Sequence, residues 1–222
     1  MTRNGEKSRE IVLQQFGSLM AAQPLLTLRD EDGIGIPTIG GDLVLHTYNV
    51  IEVYNYMYPI QIYPNKMFDL FAPIVRTKRD VISADYEHIY YDGELCLEVP
   101  TKVAIEWMKN PNLLTFVNQF VLPWFYSYEY YMRHKQYPFG VREHGLDGWF
   151  QLYFDLFEVS SSEQVIALLR GVISAPYFCH EKCPCGSGKT YSECHKPQIM
   201  GMKNSSNYSL YKQDYERFTR RT

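Results

Sequence analysis

The stretch YNYMYPIQIY, residues 54–63, decides the fold of the first half of the chain. Its aromatic and branched residues are typical of an extended strand, and the Pro64-Asn65 pair that follows is typical of a turn. The proline inside it, Pro59, has no amide hydrogen to donate, so we expect an edge strand or a bulge here. Shorter strand patterns lie on either side of it, at residues 26–28, 43–50 and 73–79.

The segments between these patterns are too short to hold a helix, and residues 33–41 are rich in glycine, which suits turns. The sequence therefore predicts an antiparallel meander. Apolar residues at helical spacing predict a helix over residues 8–22, before the sheet. After the sheet, the same spacing predicts helices over residues 101–108, 112–134, 146–157 and 161–172. Residues 1–175 are thus expected to form one α+β domain.

Two details of these helices carry further expectations. Pro123 is expected to kink or break the second predicted helix, because it lacks an amide donor and its ring crowds the preceding turn. The last predicted helix begins with Ser-Ser-Ser-Glu, residues 160–163, which resembles a capping box.

Composition excludes several classes of protein. The chain has 222 residues, 45% of them apolar and 21% charged, so a packed core is expected and wholesale disorder is not. Its net charge of −3 argues against a strongly basic nucleic-acid binder. The charge is uneven: residues 196–222 carry +4 and the rest −7. We interpret residues 199–222 as a flexible basic tail with a short terminal helix, and stacking of its tyrosines on nucleic-acid bases as the less favoured alternative.

The amino terminus predicts no secretory signal, because MTRNGEKSREIVLQQF is charged and then amphipathic, without an unbroken apolar run. The most apolar stretch, residues 113–132, is interrupted by polar residues and a proline, so it is not expected to span a bilayer. We therefore expect a cytoplasmic protein.

The cysteines fall into a cluster and a single residue. The segment CPCGSGKTYSECH, residues 183–195, offers three thiols and one imidazole, the usual set of a closed structural zinc site. The predicted ligands are Cys183, Cys185, Cys194 and His195. Gly186 and Gly188 allow the chain to reverse between them, and the metal would supply the folding free energy of so small a unit. Cys179 and His180 lie just outside; either could compete as a ligand, and we interpret both as bystanders.

These thirteen residues resemble the SEC-C motif found at the tail of the bacterial preprotein-translocase ATPase. The resemblance implies bound zinc and a protein-docking role rather than catalysis, in a small unit over residues 176–198.

The remaining cysteine lies in HIYYDGELCLEVP, residues 88–100. Asp92-Gly93 predicts a tight turn that presents Cys96 just past a bend. A nucleophilic thiol needs a lowered pKa or a nearby general base, and His88 and His144 are the candidates for that base. The alternative interpretation of Cys96 is a small buried apolar residue.

Residues 54–157 are similar to the ubiquitin-conjugating enzyme superfamily, above all to its divergent prokaryotic members. Those members accompany bacterial ubiquitin-like and cyclic-oligonucleotide (CBASS-type) antiphage systems. Four features resemble the family: the strand closing on Pro64, the strand starting at Pro73, His88 eight positions before Cys96, and the string DGELCL at residues 92–97. The resemblance implies a ubiquitin-conjugating-enzyme-like fold over residues 1–175.

The resemblance also implies an activity. Cys96 would accept, from an activating enzyme, the C-terminus of a ubiquitin-like protein or of a nucleotidyltransferase, as a thioester. It would then pass this acyl group to a lysine. The family has Pro-Asn where this chain has Ile89-Tyr90, and that asparagine steadies the oxyanion. Another donor must replace it, and Tyr90, Tyr91 and His144 are the candidates. The alternative function is an inactive module that binds partners through the zinc motif.

His88 and His144 each have a second interpretation. In the family, the histidine at the position of His88 shapes the loop by hydrogen bonding, which makes a structural role its first interpretation here. His144 lies in PFGVREHG, residues 138–145, a string that resembles a downstream element of prokaryotic members. It could serve as the base that deprotonates the incoming lysine.

Overall fold

The computed structural model describes residues 3–30, 35–46, 51–65, 71–139, 145–174 and 179–220. The chain divides into two compact units. The sheet unit comprises Met1–Glu98 and Val103–Gly140, and the metal unit comprises Val99–Lys102 and Val141–Thr222. This division differs from the predicted boundary at residue 175, because the helices after residue 141 belong with the cysteine cluster.

The sheet unit begins with helix α1 (Arg3–Ala22) and continues into four antiparallel strands in the order β1-β2-β3-β4. The strands are β1 (Leu26–Arg29), β2 (Thr38–His46), β3 (Asn55–Tyr63) and β4 (Ile74–Thr77). The α+β class and the antiparallel meander are therefore confirmed. A short 3-10 turn (Arg79–Val81) leads into the Cys96 loop, residues 88–97. After the loop come α2 (Pro100–Lys109), whose first three residues belong to the metal unit, α3 (Leu113–Phe116) and α4 (Leu122–His134).

Alternation along β3 directs one face of the sheet to the core. Tyr58, Ile60 and Ile62 are buried, whereas Met57 and Gln61 point to solvent. This is the period-two pattern of a half-buried strand. Tyr58 stacks on Phe125 of α4 with ring centroids 4.3 Å apart. The helices thus cover the inner face of the sheet.

The predicted edge position of Pro59 is wrong, because β3 lies between β2 and β4. A bulge is also not observed, since the register runs continuously from Ile39 opposite Ile62 to His46 opposite Asn55. The proline is tolerated because β4 ends at Thr77, opposite Ile60. The Thr77 hydroxyl donates to the Pro59 carbonyl at 2.6 Å. In a strand, the nitrogen and the carbonyl of one residue point to the same side. The Pro59 nitrogen therefore points past the end of β4, where the ladder needs no amide donor.

The glycine-rich segment is not only a turn, because Gly40 and Gly41 lie within β2. Gly41 has φ 143°, and a Cβ there would lie 2.2 Å from the carbonyl oxygen of Leu25. The close approach of β1 to β2 therefore requires glycine at this position. The predicted strand end at residues 47–50 lies outside the described residues.

The helix that contains Pro123 neither ends nor breaks there. A π-helical segment, Val117–Val121, joins α3 to α4, and the Leu122 amide donates to the Val117 carbonyl, five residues back. Proline cannot donate the usual bond to the carbonyl four residues back. The π-helical turn just before Pro123 replaces bonds to the fourth residue back with bonds to the fifth. This change falls where the proline lacks a donor.

The metal unit contains α5 (Leu146–Phe157), α6 (Ser162–Ile173), a 3-10 turn (Tyr191–Glu193), α7 (Lys196–Lys203) and α8 (Tyr208–Thr219). The predicted boundaries of α5 are confirmed. A capping box begins α6, but Ser161 and Gln164 form it, one residue later than the predicted pair.

The predicted flexible tail is not observed, whereas the terminal helix predicted within it is present as α8. Ile199 of α7 is buried, as are Tyr211, Asp214 and Phe218 of α8. Phe218 stacks on Phe150 of α5 at 4.1 Å. The buried residues of α8 recur at three- and four-residue spacing, so its amphipathic pattern was present in the sequence.

The Asp214 carboxylate accepts hydrogen bonds from two hydroxyl groups, those of Thr101 and Tyr153. The Tyr153 bond measures 2.8 Å. Because a buried carboxylate needs such partners, these hydroxyls and the Arg217 guanidinium, 3.1 Å from Oδ1, together stabilise Asp214 in this packing. Within the described part of the chain, no helix has both the length and the apolar character needed to cross a membrane.

Candidate metal centre and the Cys96 loop

The four predicted metal ligands come together. Their ligand atoms all lie within 4.8 Å of one another, and among the described residues no other group of His, Cys, Asp and Glu side chains is of this kind. His195 Nδ1 lies 3.3 Å from Cys183 Sγ and 3.2 Å from Cys194 Sγ, and Cys185 Sγ lies 3.6 Å from Cys194 Sγ. Two thiolates bound tetrahedrally at about 2.3 Å would lie about 3.8 Å apart. The cluster therefore has the size of a four-coordinate metal site.

A reversed chain segment builds this cluster. The Cys183 amide donates to the Lys189 carbonyl at 2.9 Å, and Lys182 pairs with Thr190 as an antiparallel bridge. Gly186 and Gly188, at φ 80° and 78°, occupy the left-handed region that favours glycine. The predicted role of these two glycines is confirmed.

The surroundings of the cluster shift the pKa values of Cys183 and Cys185 in opposite directions. Burial raises the pKa of Cys183 to about 11. Burial also opposes ionisation of Cys185, but hydrogen bonds from the hydroxyl and amide of Ser187 and from the thiols of Cys183 and Cys194 outweigh it and lower the pKa of Cys185. One thiolate is thus stabilised by the protein itself, and a cation at the centre would favour ionisation of the others.

Cys179 remains outside this set. It is exposed, and its sulfur accepts a hydrogen bond from Lys196 Nζ at 3.1 Å. His180 is likewise not one of the clustered residues.

The Cys96 loop is a tight hairpin that is hydrogen-bonded to strand β4 of the sheet. Ile89 pairs with Leu95 as an antiparallel bridge, and the Gly93 carbonyl accepts from the Thr77 amide at 2.9 Å. Gly93 has φ 82°, and a Cβ there would lie 2.3 Å from the Thr77 carbonyl oxygen. Asp92 Oδ1 accepts from the Glu94 amide at 3.2 Å. Asp92-Gly93 therefore forms the predicted turn.

Backbone contacts hold Cys96 in place. Its amide donates to the carbonyl of His88 at 2.9 Å, and the indole Nε1 of Trp124 donates to the same carbonyl, also at 2.9 Å. The His88 ring packs edge-on against Tyr86 and Tyr137, with centroids 5.4 and 5.2 Å away. His88 thus shapes the loop through its backbone while its ring packs among aromatic side chains.

The Cys96 side chain is half-buried, and the Tyr90 hydroxyl donates a hydrogen bond to its sulfur at 3.7 Å. Burial raises the pKa of Cys96, the Tyr90 hydrogen bond lowers it, and the carboxylates of Glu98 and Glu94 raise it further. The thiol form is therefore favoured at neutral pH. Tyr91, another candidate oxyanion donor, is 99% exposed at the tip of the loop. His144 lies outside the described residues.

Sequence reasoning missed the aromatic support of this loop. Trp124, Tyr128 and Tyr131 of α4 all contact Tyr86, with ring centroids 5.2, 5.1 and 5.6 Å away. Their spacing of four and three residues marks one face of a helix, and this signal was available in the sequence.

Comparison with known protein families shows a SEC-C motif at residues 181–197. The match contains all four clustered ligands, so the metal-binding appendage predicted from the sequence is confirmed as a SEC-C motif. Comparison of the whole chain with curated proteins finds no match.

Proposed function

We propose that this protein is an acyl carrier of the ubiquitin-conjugating type, with Cys96 as its thioester-forming residue. The observation that carries the proposal is the hydrogen bond from the Cys96 amide to the His88 carbonyl at 2.9 Å. It joins the two residues whose eight-position offset resembles the family, at the exit of a tight turn.

In the proposed reaction, the Cys96 thiolate attacks the carbonyl carbon of a thioester on an activating enzyme. The new C–S bond forms, the old one breaks, and the donor cysteine leaves as a thiolate. A lysine amine of the acceptor then attacks the same carbonyl, loses its proton to solvent or a base, and expels the Cys96 thiolate. The Tyr90 hydroxyl donates to the sulfur at 3.7 Å and is our candidate for stabilising the oxyanion.

The raised pKa of Cys96 suits a carrier more than a protease-like nucleophile. A thiol with a high pKa is a poorer leaving group, so its thioester survives longer before an acceptor arrives. The same property means that docking of the activating enzyme must help to remove the thiol proton.

The proposed donor is a ubiquitin-like protein or the C-terminus of a nucleotidyltransferase in an antiphage system, and the acceptor is a lysine. We propose Zn²⁺ as the metal, because three thiolates and an imidazole are a typical structural zinc set. Cys183, Cys185, Cys194 and His195 would hold it, and the folded motif would dock a partner. The cytoplasm, a reducing compartment, would keep the five thiols of the chain reduced.

The test is a transfer assay with the activating enzyme and donor, resolved by non-reducing electrophoresis. We expect an adduct that thiols cleave, and none with Cys96→Ala. Cys179→Ala, which removes the exposed bystander thiol, is the matched control and should load normally. An adduct that persists in Cys96→Ala would refute the assignment.

A second candidate is a binding module that has lost catalysis. The replacement of the family asparagine by Tyr90 favours it. It predicts that Cys96→Ala retains biological activity, whereas Cys194→Ser abolishes it.

A further inference from the structure

The metal cluster is attached to the end of helix α5. The last carbonyls of any helix lack partners within the helix. In α5, the Leu156 carbonyl accepts from Gln198 Nε2 at 2.6 Å, and the Phe157 carbonyl lies 2.9 Å from His195 Nε2. The segment that carries the metal ligands therefore caps α5.

The contact at Phe157 also determines which ring nitrogen can bind a metal. A carbonyl only accepts hydrogen bonds, so Nε2 of His195 must carry the hydrogen. Nδ1 then keeps its lone pair, and this is the nitrogen that lies 3.3 and 3.2 Å from the sulfurs of Cys183 and Cys194. The α5 carbonyl thus orients the imidazole for ligation through Nδ1.

Gln164 of α6 makes the second attachment. Its Oε1 accepts from the amides of Ser160 and Ser161 at 3.2 and 3.1 Å, which completes the capping box. Its Nε2 donates to the Cys185 carbonyl at 2.7 Å. The loop lies so close that a Cβ on Gly186 would be 3.1 Å from the same Nε2. One side chain therefore joins the start of α6 to the metal loop.

We propose that the metal centre has an outer shell beyond the SEC-C motif, in which Gln164 and the Phe157 carbonyl are positioning groups. Neither residue belongs to the matched residues 181–197. Because the same contacts cap α5 and α6, metal binding and the folding of these two helices form one equilibrium. The motif in this protein is then an integral part of a helical unit and not an independently folding element.

The first test separates the two jobs of Gln164. Gln164→Glu keeps an acceptor for the capping box but replaces the donor to Cys185 with a second oxygen. Ser162→Glu adds the same charge two residues away and serves as the control. We measure Zn²⁺ affinity of the full chain by competition with a chromogenic chelator.

Loss of an outer contact typically weakens metal affinity by about 10- to 100-fold. We expect at least a tenfold loss for Gln164→Glu and less than a twofold change for Ser162→Glu. Equal affinities of the two variants, or a loss that Ser162→Glu shares, would overturn the positioning role.

The second test measures the coupling directly, by hydrogen exchange of the full chain with and without chelator. We expect the amides of α5 and α6 to lose protection together with residues 181–197. Loss of protection confined to residues 179–203 would show that the motif folds independently and would overturn the proposal.

The third test identifies the ligating nitrogen. Long-range ¹H–¹⁵N spectra of the zinc-loaded protein should show His195 bound through Nδ1 and protonated at Nε2. Ligation through Nε2 would contradict the role of the Phe157 carbonyl. None of these readouts depends on Cys96, so their failure is distinct from failure of the proposed acyl transfer.

Discussion

The metal cluster and the Cys96 loop are both short cysteine-bearing turns, but their thiols are held differently. Cys185 is stabilised as a thiolate by Ser187, two residues away, and by the two other thiols of the cluster, which together outweigh burial and lower its pKa. The Cys96 amide donates to the His88 carbonyl, which also accepts from Trp124, and burial raises the pKa of the thiol. A local turn thus prepares one site for a cation, whereas long-range packing keeps the other thiol protonated.

Metal removal should produce the largest difference between the two sites. In small motifs structural zinc supplies on the order of 10 kcal/mol of folding free energy. We expect the Cys194→Ser variant to bind no metal, which metal analysis measures. We also expect its metal unit to unfold without a cooperative transition and to lose hydrogen-exchange protection. Alkylation of Cys96 should proceed at the wild-type rate.

Cys179→Ser is the control for that experiment, because Cys179 is exposed and outside the ligand set. It should keep a full complement of metal. If Cys194→Ser changed the rate of Cys96 alkylation as well as the metal content, the two sites would not be independent.

Gly93→Ala should break the Cys96 loop without touching the metal cluster. The new methyl would lie 2.3 Å from the Thr77 carbonyl oxygen, at a backbone φ of 82°. We expect a loss of about 1–3 kcal/mol in the free energy of unfolding, measured by denaturant titration. Gly17→Ala in α1 has open space around the new methyl and should be stabilising by up to about 1 kcal/mol. Equal effects at the two positions would contradict the close packing of the loop.

Trp124→Phe should loosen the Cys96 loop more gently. It keeps an aromatic ring against Tyr86 but removes the indole donor to the His88 carbonyl. Loss of such a hydrogen bond costs about 1 kcal/mol, which denaturant titration can measure. We also expect faster alkylation of Cys96, because the carbonyl that holds its amide is less restrained. An unchanged alkylation rate would show that Trp124 does not restrain Cys96.

The smallest effects should come from the groups that set the pKa of Cys96. The alkylation rate should rise with pH, because only the thiolate reacts, and its midpoint should lie above that of an ordinary thiol. Glu98→Gln removes a nearby negative charge, so the midpoint should fall. Tyr90→Phe removes the hydroxyl that stabilises the thiolate, so the midpoint should rise. Shifts in the same direction for both variants would refute this account; Cys179→Ser is the background for all three measurements.

The fold was predictable where a local pattern carries it. Residues 54–63 alternate between core and solvent, and residues 146–157 carry helical spacing, so the strand and the helix were found with nearly correct ends. Pro59 misled the prediction because its tolerance depends on where β4 ends, which is a tertiary fact. The basic charge of residues 196–222 suggested a flexible tail with only a short terminal helix. Both α7 and α8 are packed instead, because their burial depends on partners such as Phe150 far along the chain.

The candidate sites divide in the same way. The motif of residues 183–195 names its own four ligands, because they lie within thirteen residues and two glycines reverse the chain between them. At Cys96, the sequence indicated the turn and the offset to His88. It did not indicate that Trp124 shares the His88 carbonyl or that burial keeps the thiol protonated.

By itself, the amino-acid sequence determined the antiparallel sheet, the tight turn before Cys96 and the complete metal-ligand set. These features rest on interactions between residues close in the chain. Only the tertiary structure decided that Pro59 fits a central strand, that α7 and α8 are packed and not flexible, and that Gln164 reaches the Cys185 carbonyl. Burial and long-range hydrogen bonds arise between segments distant in sequence, and no local pattern specifies which partner each will meet.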